Sequence, residues 1–136
     1  MRVDDPMRGY VANRVEGQCE YCHYPEHFSP SAFEVEHIVP RSAGGLTEIN
    51  NLALACSHCN AHKATRQTGF DFLTETDVRL FNPRIENWTD HFFLNPNTGE
   101  IQGQTPIGRT TVETLQMNAE QPIRARLNLL RLGVII

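Results

Sequence analysis

Apolar positions along the chain change period several times, and each change marks an element. Residues 1–17, "MRVDDPMRGYVANRVEG", form a polar lead-in with room for a short helix before Gly17. "FEVEHIV" (33–39) alternates apolar and polar positions with β-branched residues, the signature of a half-buried strand. "PRSAGGLTEIN" breaks that pattern and reads as a loop. "NLALAC" is a second strand, short and apolar on both faces, and "NAHKATRQ" continues as a helix.

Further on, "HFFLNPNTGEIQGQ" predicts a β-hairpin turning at Asn97-Thr98-Gly99. Thr105 followed by Pro106 starts a helix as N-cap and first helical residue, with Leu115 and Met117 in its later turns. "AEQPIRARLNLLRLG" is an amphipathic C-terminal helix ending near Gly133. The expected division is a lead-in (1–17), a core (18–70) and an extension of hairpin and helices (71–136) that packs on the core. Mixed, separated elements make this an α+β chain.

Composition adds a constraint. With 136 residues, 40% hydrophobic and 8% aromatic, the chain supports one domain with a modest core that gains from a staple. The first residues have no apolar stretch typical of a secretory signal, and no run reaches membrane-spanning length, so a cytoplasmic protein is expected. A net charge of −4 argues against a basic nucleic-acid coat protein, but leaves room for an enzyme that needs acidic metal ligands.

Four cysteines supply the staple. Cys19, Cys22, Cys56 and Cys59 form two C-x2-C knuckles, the spacing of a closed, structural four-thiolate zinc site. Such a site ties the chain before "FEVEHIV" to the chain after it, and draws Glu36, His37 and Asn60 into one neighbourhood. A carboxylate and an amide oxygen are hard ligands, suited to Mg2+ or Mn2+, and Glu36 with Asn60 would suffice. A neutral imidazole at His37 could take a proton from an attacking water. Adjacent strand residues point to opposite faces, so sharing one ion would require a twist or bulge at Glu36-His37. His62 is a weaker candidate ligand, off the helical face of Asn60. Glu34 could support the site or face water, and is expected to face water. Arg41, Lys63 and Arg66 are candidate phosphate contacts. Trp88, Phe92 and Phe93 are read as core rather than as a base-stacking platform.

The combined segment "CEYC…FEVEHIVPRSAGG…NNLALACSHCNAHK", from Cys19 to Thr68, resembles the HNH endonuclease family with its ββα-metal fold. The resemblance implies that His37 is the general base, that Asn51 holds the loop and orients the histidine, and that Asn60 and Glu36 are ligands of the catalytic ion. Asn rather than His at position 60 is similar to the branch that includes the nuclease domain of RNA-guided CRISPR effectors. Colicin-type members place a further histidine where this chain has Ala64, and Glu36 stands where Asp is commoner. "LFNPRIENWTDHFF" onward looks like the tail of small stand-alone bacterial and phage HNH proteins. The implied activity is metal-dependent hydrolysis of DNA, with structural zinc and catalytic Mg2+ or Mn2+. The alternatives are an RNase of the same chemistry and a non-catalytic zinc module binding nucleic acid or protein.

Overall fold

The computed structural model describes residues 3–134 and 136. Its first helix, α1 (Asp5–Arg14), starts where the Asp4 side chain accepts the Met7 amide, and the chain leaves it through left-handed Gly17. Arg14, in its last turn, donates to the carbonyls of Ile49 and Leu52, fastening α1 to the middle of the chain.

The expected strand-loop-strand-helix order is present. Strand β1 (Glu34–His37) pairs antiparallel with β2 (Leu52–Ala55), in a register that sets Glu36 opposite Ala53 and His37 opposite Leu52. Every residue of β2 is buried, as its unbroken apolar run requires. Helix α2 (Ser57–Lys63) begins within the second knuckle and ends sooner than the sequence pattern implies. Ala64 takes a positive φ of 48°, turning the chain away so that Thr68 can begin another strand.

That strand belongs to a hairpin not foreseen from the sequence. β3 (Thr68–Asp71) pairs with β4 (Thr76–Arg79), so β3 straddles residue 70, where the sequence pattern divides core from extension. The turn lacks the Asn-Gly or Asp-Gly signal. Instead, the Asp71 carboxylate accepts the amides of Leu73 and Thr74 and the Thr74 hydroxyl, and Glu75 takes a left-handed φ of 56°. Arg109 clamps Asp71 with two parallel bonds of 3.0 Å, tying the turn to the C-terminal half.

A short helix, α3 (Trp88–His91), leads into the expected second hairpin, β5 (Phe92–Leu94) with β6 (Ile101–Gly103). Gly99 lies in its turn at φ 77°. Helix α4 (Pro106–Thr114) is capped by Thr105, and α5 (Glu120–Arg131) runs out to left-handed Gly133. Leu115 and Met117 follow α4 rather than lying within it, and both are buried.

A single apolar cluster runs through both halves of the chain. It includes Val11, Tyr21, Phe33, Leu52, Leu54, Phe81, Phe92, Ile101, Leu115 and Met117. Trp88 packs against this cluster and donates its indole N–H to the Tyr21 carbonyl inside the first knuckle, at 2.8 Å. Phe93, by contrast, is half exposed. Among the described residues, no helix is long and apolar enough to cross a membrane.

Candidate active site and metal centre

The two knuckles meet. The ligand atoms of Cys19, Cys22, Cys56 and Cys59 all lie within 4.8 Å of one another, and the Cys22 and Cys56 sulfurs are 3.7 Å apart. A disulfide would bring two sulfurs to about 2 Å. A tetrahedral zinc with bonds of about 2.3 Å spaces its sulfurs about 3.8 Å apart, so the cluster fits zinc and not a pair of disulfides. Local backbone explains the convergence. The Cys59 amide donates to Cys56 Sγ at the start of α2, and the Glu20 amide donates to Leu54 O, pinning the first knuckle to β2. Contact among the four sulfurs lowers the Cys56 pKa and raises those of Cys22 and Cys59.

The frame built on this cluster sets β1 beside α2. Glu34 and Glu36 share one face of β1, as strand periodicity dictates, and meet Asn60 and Lys63, which share one face of α2. Glu36 is 7% exposed and Lys63 2% exposed. Lys63 Nζ lies 3.0 Å from Glu36 Oε2 and 3.2 Å from the Ile38 carbonyl, while the Tyr21 hydroxyl donates to Glu36 Oε1. Burial pushes the Glu36 carboxyl up, against the opposing pull of Lys63 and Tyr21. Lys63 is therefore not presented to solvent as a phosphate contact would be. Its ammonium serves as an internal countercharge.

Asn60 is partnered with Glu34 rather than Glu36, donating its Nδ2 to the Glu34 carboxylate. Glu34 is exposed, but it is not idle. The contact fixes the amide orientation and turns Oδ1, the only atom of that group able to ligate a cation, away from Glu34.

His37 faces the other way. β1 is paired to β2 in unbroken register through Glu36 and His37, with no bulge to swing both side chains to one side. The imidazole Nε2 lies 2.9 Å from Thr47 Oγ1, in the loop between the strands. Burial first, and then the nearby positive charge of Arg41, lower its pKa below the usual histidine value. Glu36, His37 and Asn60 thus stand on adjoining elements with separate partners, and are not gathered on one point.

Asn51 holds the loop. Its Oδ1 accepts the Val39 amide, and its Nδ2 donates to the carbonyls of Val39 and Leu46, at 2.9–3.0 Å. Gly45 closes against the same place, where an added Cβ would stand 1.7 Å from Val39 O. The loop passes through a tight turn at Arg41–Ala43, leaving Arg41 exposed at its start.

Arg66 is also exposed and donates to His62 O. With Lys63 and Arg79 it lines a groove of about 280 Å3 beside Ile38 and Val39. His62 is turned from the site, with Nδ1 2.8 Å from His58 O.

Two neighbours of the expected site residues escape a reading of the motif alone: Tyr21 and Thr47. Glu34 had a signal, since strand period places it on the face of Glu36. Tyr21 and Thr47 reach the site only through the tertiary fold.

Comparison with curated proteins finds no match. The model described as HNH endonuclease matches residues 19–66, from the first cysteine of the cluster to Arg66 just beyond α2. That span contains the zinc-type cluster, both strands, the Asn51-clamped loop and α2, and it is this segment that is similar to the HNH endonuclease family.

Proposed function

We propose that the protein is a divalent-metal-dependent endonuclease that hydrolyses phosphodiester bonds in DNA, with His37 as general base. The observation that carries this reading is the state of His37. It sits at the end of β1, anchored at Nε2 by Thr47, over a loop that Asn51 clamps at three points. In the tautomer whose Nε2–H donates to Thr47 Oγ1, Nδ1 carries the lone pair that would take a proton from water. A lowered pKa keeps the ring neutral at neutral pH, as a base must be.

The catalytic cation, Mg2+ or Mn2+, would be held by Glu36 and Asn60 only after these side chains leave the separate partners they have in this structure, Lys63 and Glu34. As it stands, Glu36 does not offer a free donor, because Tyr21 takes Oε1 and Lys63 takes Oε2, so it could ligate a dication only by exchanging its Lys63 contact for the ion; the Asn60 amide oxygen is a hard donor of the right kind. When bound, such an ion supplies positive charge against the phosphorane and the departing oxygen. Arg41 and Arg66, both exposed beside the loop and α2, would hold the flanking phosphates without reading sequence.

The test is incubation of the purified protein with supercoiled plasmid and, separately, with single-stranded and duplex RNA, in Mg2+, Mn2+ or EDTA. Cleavage of DNA in Mg2+ or Mn2+ that EDTA abolishes and His37→Ala lacks is the expected result. Cleavage confined to RNA would move the substrate. Zinc binding with no cleavage of either would leave a binding module.

A further inference from the structure

The C-terminal helix carries a cation with no carboxylate to answer it. Arg126, on α5, is 1% exposed, the largest fully buried side chain among the described residues. Its guanidinium donates to Gly99 O and Met117 O, each at 2.7 Å, and to Asn118 Oδ1 at 3.3 Å. All three acceptors are neutral. No ion pair reaches it among the described residues, and its buried Nη1 has no hydrogen-bond partner. A buried charge without a countercharge is strongly unfavourable. Burial accordingly pulls the Arg126 pKa down, against an opposing influence of the four cysteines.

The cysteine cluster has the complementary imbalance. Zinc is bound by deprotonated cysteines, so four thiolates outweigh one dication by two charges. Arg126 lines the same cavity of about 350 Å3 as Cys22 and Cys56, together with Met117 and Pro122. Two groups that would each be poorly tolerated alone share one apolar pocket.

We propose that Arg126 is the positioning countercharge of the zinc centre: its guanidinium offsets the excess negative charge of the tetrathiolate across the cavity and so raises zinc affinity. The C-terminal helix thereby becomes part of the metal site without supplying a ligand. This rests on the zinc reading of the four cysteines and not on cleavage activity.

The test is zinc affinity of the full-length protein, measured by competition with a chromophoric chelator at fixed pH and ionic strength. Four chains are compared: the parent, Arg126→Lys, Arg126→Gln and Leu129→Ala. Outer-shell partners of metal sites typically alter affinity by about 10- to 100-fold. Arg126→Gln is expected to weaken zinc binding by about tenfold or more, and Arg126→Lys to stay within about threefold of the parent. Leu129→Ala removes a buried side chain of the same helix, and should lower the melting temperature while leaving zinc affinity within about twofold. Equal zinc affinity in folded Arg126→Gln and the parent would overturn the proposal, as would equal weakening by Gln and by Leu129→Ala. Should Arg126→Gln stay unfolded even at saturating zinc, Arg126→Lys decides: parent-like affinity supports the charge role, and a tenfold loss refutes it.

Discussion

Lys63 Nζ sits 3.0 Å from Glu36 Oε2, and neither side chain is open to solvent. The pair crosses from α2 to β1, so the second half of the ββα unit is locked to the first by a buried charge as well as by the cysteine cluster. Removing one member leaves the other buried and uncompensated, which costs about 3–5 kcal/mol. Lys63→Met should therefore lower unfolding stability by that order in urea titration. The double variant Lys63→Met with Glu36→Gln should lose less than the sum of the two single changes, because the second change relieves the charge stranded by the first.

The state of His37 sets the expected pH dependence. Only the neutral imidazole can accept a proton, so the rate rises with pH and levels off above the histidine pKa. Burial and Arg41 place that pKa below its ordinary value, about 6.5. The acid limb of kcat/KM should have its midpoint below about 6.5. Arg41→Gln removes one of the depressing influences and should move the midpoint upward. A midpoint above neutrality in the parent protein would contradict this placement of the base.

The loop between β1 and β2 is expected to act through position rather than contact with substrate. Asn51→Ala removes three bonds to the loop backbone. Misplacement of about 1 Å costs about a hundredfold in rate, so kcat should fall by that order while zinc content stays at the parent level. Gly45→Ala should act in the same direction, because its Cβ has no room against Val39 O. Metal analysis alongside single-turnover kinetics separates this outcome from loss of the fold.

The ββα order and the cysteine frame were legible because each rests on short-range signals: strand alternation in "FEVEHIV", an apolar run in "NLALA", and two C-x2-C spacings. The β5–β6 hairpin and the Thr105 cap were legible for the same reason. The β3–β4 hairpin was not, because its turn is made by Asp71 side-chain bonds and a left-handed Glu75 rather than by glycine. The helix after the second knuckle is shorter than its pattern implies because nothing local announces that Ala64 adopts positive φ. The polar site shows the same divide. Residue types at 36, 37, 51 and 60 carry the chemistry, but the partner of each is decided in three dimensions. Lys63 looks like a surface cation in sequence and is an interior one in the fold. Glu34 looks like a solvated residue and orients Asn60.

Zinc removal should unfold the protein rather than merely inactivate it. Structural zinc contributes about 10–16 kcal/mol in small domains, comparable with the whole stability of a typical domain. Cys56→Ser should abolish stoichiometric zinc and broaden or eliminate the cooperative thermal transition seen by circular dichroism. Excess chelator should do the same to the parent. A zinc-free protein with an unchanged melting temperature would remove the staple from this account.

The most direct measurement is single-turnover cleavage of duplex DNA by the parent and His37→Ala in Mg2+, with zinc content and folding monitored in both. The account predicts that His37→Ala binds zinc and unfolds at the parent temperature, yet cleaves at least about a hundredfold more slowly. Parent-like cleavage by folded His37→Ala would contradict it.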